Sequence, residues 1–271
     1  MALNDEVREQ RKLLKGKGPG AYFQYFWDYY RWPTVGVIGG VILVGSLVFN
    51  FLTHKPEAVH AVLLNCESPD LEAGMQLESE FAEAASIDTR RETVSIETSY
   101  DLTTGSILGQ YDMATQVKMM ALTGSGELDL LVADAYHFDE YISGAGLLDL
   151  REIFSDEEFK QLEEDGLVWY YDASLIYIEG ETMPSNEFIP AEEGAAFEDP
   201  ETFTLPDPAL MEEPVPAGII MTGRPVFDRW QLFTDTVVAA GFPTASKRLE
   251  NARKLLDFLM NEQGGAKEDP A

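Results

Sequence analysis

Cysteine and positive charge are both scarce in this sequence. Cys66 is the only cysteine, which excludes an intrachain disulfide and a metal site built on several cysteines. Because Cys66 ends an apolar run, we expect it to be a small buried hydrophobe. Only 19 residues are Lys or Arg, against 48 Asp or Glu. Phosphate binding requires clustered basic residues, so nucleic acid is not an expected partner.

Catalytic signatures are also missing. The chain contains no G-x-S-x-G, P-loop or H-E-x-x-H pattern, and it has only three histidines. Asp134, His137, Asp139 and Glu140 stand at i, i+3, i+5 and i+6. They do not share one helical face, so we interpret them as a solvated helix start and not as a metal site. The sequence therefore predicts a protein that is not an enzyme and that uses no metal or cofactor.

One long run lacks charge entirely. The sequence "TVGVIGGVILVGSLVFNFL" begins at Thr34, and about 20 such residues span the hydrocarbon core of a bilayer. We therefore predict a transmembrane helix over residues 34–53, which would bring the lipid bilayer in as a partner. The preceding "YFQYFWDYYRW" has eight aromatic residues in eleven. Such rings favour the headgroup level, and the predicted interface residues are Trp27, Tyr29, Tyr30 and Trp32.

The distribution of charge predicts the orientation of this span. Six basic and four acidic residues precede it, which leaves 13 basic and 44 acidic residues after it, a net charge of −31. Short basic flanks stay in the cytoplasm, whereas long domains cross largely regardless of charge. We expect residues 1–33 inside and residues 54–271 outside the plasma membrane. A cleaved signal peptide is the alternative, but the long segment before the span and the missing A-x-A site favour an uncleaved anchor.

Strand-like and helix-like segments alternate after the span. The predicted strands cover 58–66, 92–100 and 127–135, and the predicted helices cover 68–85, 107–126 and 135–146. Gly124 and Gly126 are the expected stop of the second of these helices, and a Ser155 to Glu158 capping box opens a further helix. Three successive β-α pairs predict an open α/β domain with a parallel sheet covered by helices.

The pattern is then interrupted and resumes. Residues 161–214 are acidic, contain no Lys or Arg, and predict an irregular insert apart from hairpin or edge strands at 167–171 and 174–178. A strand at 215–223 follows, and two helices are predicted over 227–241 and 246–264, with Gly241 and Gly264 as stop signals. The predicted core of the domain therefore covers 58–160 and 215–262.

Two segments carry a resemblance to a known family. With "GELDLLVADAYHFDEYISGAGLLDLREIF" and "PAGIIMTG…SKRLENARKLLDFLM", the chain resembles the extracellular solute-binding proteins of the type 2 periplasmic-binding fold, over about residues 58–155 and 215–262. The resemblance implies one α/β lobe with a closing helix that packs back on it. A full second lobe does not fit between Phe154 and Val215. The approach to the span is also similar to that of uncharacterised single-pass proteins of Gram-positive bacteria.

The carboxyl ends of the predicted strands are the candidate binding site. Open α/β sheets bind their ligands at this edge. We expect Asn65, Asp134 and Tyr136 to be polar contacts and Arg224 to pair with a carboxylate. The alternative role for Asp134 is an ordinary helix cap.

These observations favour a membrane-tethered, extracytoplasmic binding or assembly module, whose partner would be another membrane or envelope protein. The alternative is an anchored solute-binding receptor of an ABC-type transporter with a reduced second lobe, for which the ligand would be a small solute.

Overall fold

The structure is a computed structural model that describes residues 19–53, 55–66, 71–103, 109–143, 146–175 and 200–261. The chain divides into two compact units, Met1–Lys55 and Pro56–Ala271.

Among its described residues, the first unit contains one long helix. Helix α1 covers Pro19–Thr53, so the aromatic segment and the apolar run form a single helix that contains Pro33. Its stretch Arg31–Phe49 has 19 residues, a mean hydropathy of 1.9 and no burial, and is long and apolar enough to cross a membrane. Trp27 and Trp32 are exposed, and Tyr29 and Tyr30 lie in the same helix. The expectation of an apolar helix here is confirmed.

The second unit is a mixed α/β structure. Within the described residues its strands are β1 Glu57–Leu64, β2 Thr93–Glu97, β3 Leu130–Asp134, β4 Val168–Asp172, β5 Pro214–Ile220 and β6 Val238–Gly241. Its described helices are α2 Leu71–Ala84, α3 Gln110–Ser125, α4 Ala135–Ser143, α5 Asp156–Glu164, α6 Pro225–Trp230 and α7 Leu249–Asn261. Short 3-10 turns cover Leu150–Glu152, Ala173–Leu175 and Pro208–Leu210.

All six strands of the described residues belong to one sheet, in the order β2-β1-β3-β6-β5-β4. β1 pairs in parallel with β2 and β3, as the β-α alternation predicts. β6 pairs antiparallel with both β3 and β5, and β4 pairs antiparallel with β5. The α/β fold class is therefore confirmed, with a sheet that is mixed and not purely parallel.

Helices cover both faces of this sheet. On one face α2 and α7 pack together, with the ring centroids of Phe81 and Phe258 5.7 Å apart. On the other face Met119 of α3 and Phe138 of α4 are fully buried. Alternate residues of β1 pack into the cores on the two faces of the sheet. Val59, Ala61 and Leu63 pack on the face of α2 and α7, and Val62 and Leu64 pack on the face of α3 and α4. Burial on both faces explains why the strand sequence is continuously apolar.

One predicted helix is wrong. The segment 227–241 was expected to be helical, but α6 ends at Trp230 and the chain enters strand β6 at Val238. Gln231 adopts a left-handed conformation (φ 51°) that ends α6. A short apolar run such as "VVAAG" fits a buried strand as well as a helix, and only its place between β3 and β5 decides the matter. Gly241 is consequently not a helix stop.

The helix stop at α3 differs slightly from the expectation. Gly124 lies inside the helix, and Gly126 ends it in the left-handed conformation (φ 69°). The N–H group of Gly126 donates to the carbonyls of Leu122 and Thr123, so a left-handed glycine satisfies two of the last carbonyl groups of the helix.

Part of the predicted acidic insert belongs to the sheet. Residues 168–172 form edge strand β4, which agrees with the strand-like segment expected there. Phe203 packs against Trp169 of β4, with ring centroids 5.2 Å apart. Residues 176–199 of the insert lie outside the described residues, as does Gly264.

Cys66 is buried and free, as expected of a small hydrophobe. Its thiol donates to the carbonyl of Leu63 at 3.0 Å. Burial raises the pKa of Cys66 to about 12, so the reactive thiolate is disfavoured at neutral pH.

Candidate functional site

The ends of β1 and β3 bring Asn65 and Asp134 together. The side-chain amide of Asn65 donates to Asp134 Oδ2 at 2.8 Å. His137 joins them, because its Nδ1 lies 2.9 Å from Asp134 Oδ2 and 3.0 Å from Asp134 Oδ1. Asp134 and His137 are both at least nine-tenths buried. Two of the four predicted ligand contacts thus lie in one buried polar cluster of Asn65, Asp134 and His137.

The backbone around Asn65 explains why an asparagine occupies this position. Asn65 follows β1 directly in the left-handed conformation (φ 59°), which asparagine tolerates better than most residues. Its N–H group donates to the carbonyl of Tyr100 at 2.8 Å. Its side-chain oxygen accepts from the N–H group of Leu102 at 2.6 Å. One residue therefore links the end of β1 to the chain that follows β2.

Both hydrogens of the Asn65 side-chain amide have acceptors within the fold. An amide nitrogen has two hydrogens, and Asn65 Nδ2 donates to Asp134 Oδ2 and to the carbonyl of Leu102 at 3.1 Å. Nδ2 also lies 2.9 Å from His137 Nδ1. Whether His137 Nδ1 accepts from Asn65 or donates to Asp134 depends on the tautomer of the ring.

Asp134 also caps helix α4. Its Oδ1 accepts from the backbone N–H group of His137 at 3.1 Å, the bond that an N-cap carboxylate makes three residues into a helix. The cap role considered for Asp134 is therefore confirmed. The solvated helix start expected for these residues is wrong for Asp134 and His137, which are buried. The three-residue spacing from Asp134 to His137 could have indicated this contact, because an N-cap side chain and the third residue of its helix lie close together.

Tyr136 contacts this cluster, whereas Arg224 does not. The ring of Tyr136 is half-buried and meets the ring of His137 edge to face, with centroids 5.0 Å apart. Arg224 follows β5, which is two strands from β3 in the sheet. Its guanidinium has no ion pair or hydrogen bond to any described residue, and its Nε is buried. The structure places Arg224 at the same edge of the sheet but does not join it to Asn65 or Asp134.

Two acidic side chains of α4 have raised pKa values. Burial, followed by the charge of Glu140, raises the pKa of Asp139 to about 6. Burial also raises the pKa of Glu140. To smaller extents, the charge of His137 lowers this pKa and the charge of Asp134 raises it. Within the part of the chain that the structure describes, no group of three His, Cys, Asp or Glu residues is arranged to hold a metal ion. The local chemistry is that of a buried, hydrogen-bonded polar cluster.

Comparison of the chain with protein-family models, with curated proteins and with solved structures finds no match. What can be proposed about function therefore rests on the residues and contacts described above.

Proposed function

We propose that this protein is a membrane-tethered, non-enzymatic module that binds another membrane or envelope protein through its α/β domain. The observation that carries this proposal is the use of Asn65 and Asp134 within the fold. Their polar atoms bond to each other, to His137 and to the backbone of Leu102. A solute at this edge would have to break these bonds, and an unpaired buried polar group costs about 1–3 kcal/mol.

The fold supports part of the proposed relation to solute-binding lobes. Helix α7 packs back against the start of the sheet, and Asn251 of α7 donates to the carbonyl of Ala58 in β1 at 2.8 Å. This agrees with the closing helix that the type 2 periplasmic-binding resemblance implies. Among the described residues all strands enter a single sheet, and this favours a single lobe over a two-lobed receptor.

The proposed topology places residues 1–33 in the cytoplasm and the α/β domain outside the plasma membrane. It rests on α1 and on the basic residues that precede the apolar run. Reporter fusions at residue 20 and at residue 271 are expected to be active only in the cytoplasm and only outside, respectively. A soluble protein that begins near residue 60 would contradict an uncleaved anchor, and exchanged reporter activities would contradict the orientation.

A solute receptor and a protein-binding module differ in thermal stability with ligand. A receptor at a ligand concentration of about 100 Kd gains roughly 2.7 kcal/mol, which raises Tm by about 5–10 °C for a domain of this size. We expect no such shift when the full chain, in detergent micelles, is tested with sugars, oligopeptides, amino acids and polyamines.

The control variants separate a specific ligand from a general effect on the fold. Arg224→Gln and Tyr136→Ala change predicted contacts without removing the buried carboxylate of Asp134. Glu164→Gln changes only an exposed residue of α5. A shift with one solute that Arg224→Gln or Tyr136→Ala abolishes, and that Glu164→Gln retains, would establish the receptor alternative.

A further inference from the structure

Helix α3 presents an apolar stripe to solvent. Met113, Val117 and Met120 are 55%, 67% and 72% exposed, and their spacing of i, i+4 and i+7 places them on one side of the helix. Tyr111, two residues before Met113 and on a different side of the helix, is 59% exposed, and its hydroxyl donates to the carbonyl of Ser99 at 3.1 Å. We call Met113, Val117 and Met120 the α3 stripe. Contiguous exposed apolar side chains of this kind mark interaction surfaces in soluble domains.

The stripe is unusual because of the charge around it. The residues after the span carry a net charge of −31, yet no acidic side chain of α3 points to solvent. Its one acid, Asp112, is buried and accepts from Gly109 and Thr103 at the start of the helix. Its one base, Lys118, lies 4.3 Å from the centre of the Tyr100 ring. Exposed faces of α5 and α7 carry Glu, Asp, Lys and Arg instead.

Acidic residues stand near both ends of helix α3. Exposed Glu127 follows the last turn of α3. Exposed Asp101 lies two residues before Thr103, whose N–H and hydroxyl groups bond to Asp112 in the first turn. Bases lie there too, because Lys118 of α3 is exposed and Lys247 Nζ donates to the carbonyl of Ser125 at 2.7 Å. The α3 stripe is therefore an uncharged surface edged by charges of both signs. Because the domain after the span is strongly acidic overall, a complementary partner carries apolar residues in the middle and positive charge at the edges.

We propose that the α3 stripe binds an amphipathic helix of a partner protein that carries Lys or Arg beside its apolar face. This inference rests on the proposed function and names the surface and the chemistry of its partner. Helix α3 is about 24 Å long, which matches a partner helix of about four turns. Exposed methionines suit such a contact because their flexible side chains adapt to the facing ridge.

An apolar surface could also bind a second copy of the chain or a lipid bilayer, and charge argues against both. A second copy of the chain would bring two domains of net charge −31 together, and anionic lipid headgroups would likewise be repelled. A basic amphipathic helix is attracted by the same charge, which raises its association rate and penalises acidic competitors. The partner is therefore a basic protein segment.

The test uses the full chain in nanodiscs of zwitterionic lipid and a fluorescent peptide of about 16 residues, built from Leu and Lys with Leu at i, i+3, i+4 and i+7. Fluorescence anisotropy is expected to show binding, which the triple variant Met113→Gln, Val117→Gln, Met120→Gln weakens about tenfold or more. Glutamine keeps the helix propensity of these exposed positions. Met75→Gln on α2 is the matched control, because Met75 is also 67% exposed, and it should leave binding unchanged.

Further peptides and a size measurement distinguish a basic helix from lipid, from a second copy of the chain and from nonspecific adsorption. A Leu–Glu peptide with the same apolar face, and a scrambled Leu–Lys peptide of the same composition, should bind much more weakly than the patterned peptide. Equal binding of the scrambled peptide, unchanged binding in the triple variant, or equal signal with empty nanodiscs would overturn the proposal. So would a dimer in sedimentation that the triple variant dissociates. These outcomes leave the solute test untouched, whereas a specific solute shift would contradict the proposed function itself.

Discussion

Replacing Asp129 with alanine is expected to lower the free energy of unfolding by about 3–5 kcal/mol, because it removes one partner of a buried ion pair. Asp129 precedes β3 and is completely buried. Its Oδ2 accepts from Arg248 Nε at 2.6 Å and from the N–H group of His60 at 2.9 Å, and its Oδ1 accepts from the Ser246 hydroxyl at 2.8 Å. One carboxylate thus joins β1, β3 and the segment before α7.

Urea unfolding of the full chain in detergent micelles measures this loss. Asp129→Asn keeps the shape and one acceptor, so we expect it to cost less than the alanine. The control is Glu164→Gln, which removes an exposed ion pair with Lys160 on α5 and should change stability by no more than about 0.5 kcal/mol. Equal stabilities of Asp129→Ala and Glu164→Gln would show that the Asp129 network does not hold these three segments together.

Gly241→Val is expected to cost about 2–3 kcal/mol by overpacking the core. Gly241 pairs with Leu131 in the middle of the sheet. A Cβ atom there would come within 2.7 Å of a methyl carbon of Leu147, 3.0 Å of the carbonyl oxygen of Ala217 and 3.2 Å of the Phe138 ring. The side chains can move, but the backbone of Ala217 belongs to β5, so valine forces the two strands or the ring of Phe138 apart.

The matched control is Gly124→Ala, because both glycines were predicted to be helix stops. Gly124 lies inside α3, and nothing lies within 4 Å of an added Cβ atom. Alanine should therefore stabilise the helix, by up to about 1 kcal/mol. The same urea measurement gives both values. If Gly241→Val cost as little as a surface substitution, the segment 238–241 would not be a central strand.

Much of the fold follows from local patterns that a sequence displays. The apolar run of α1, the first three strands and the helix that ends the described chain were predicted close to their observed bounds. The Ser155 to Glu158 capping box is present, with Ser155 accepting from the backbone of Glu158. Caps and periodicity can be predicted because they depend on residues a few positions apart.

Only part of the candidate site was predicted, because the rest of it depends on contacts between distant residues. Asn65 and Asp134 were selected because carboxyl ends of neighbouring parallel strands meet at one edge. His137 was expected to be solvated, yet it is buried against Asp134. Whether a polar residue at a helix start faces water or the sheet depends on how that helix packs, and its immediate neighbours in sequence do not determine this.

The sequence by itself therefore determined an apolar helix long enough to span a membrane, an acidic α/β domain and the local ends of most of its helices. Only the tertiary structure decided that residues 238–241 form a strand between β3 and β5, and that Asp129 pairs with Arg248 across 119 positions. It also decided that Met113, Val117 and Met120 of α3 remain exposed. Sheet order, register and helix packing join residues far apart in the chain, and such pairings depend on how all the elements fit together around the core.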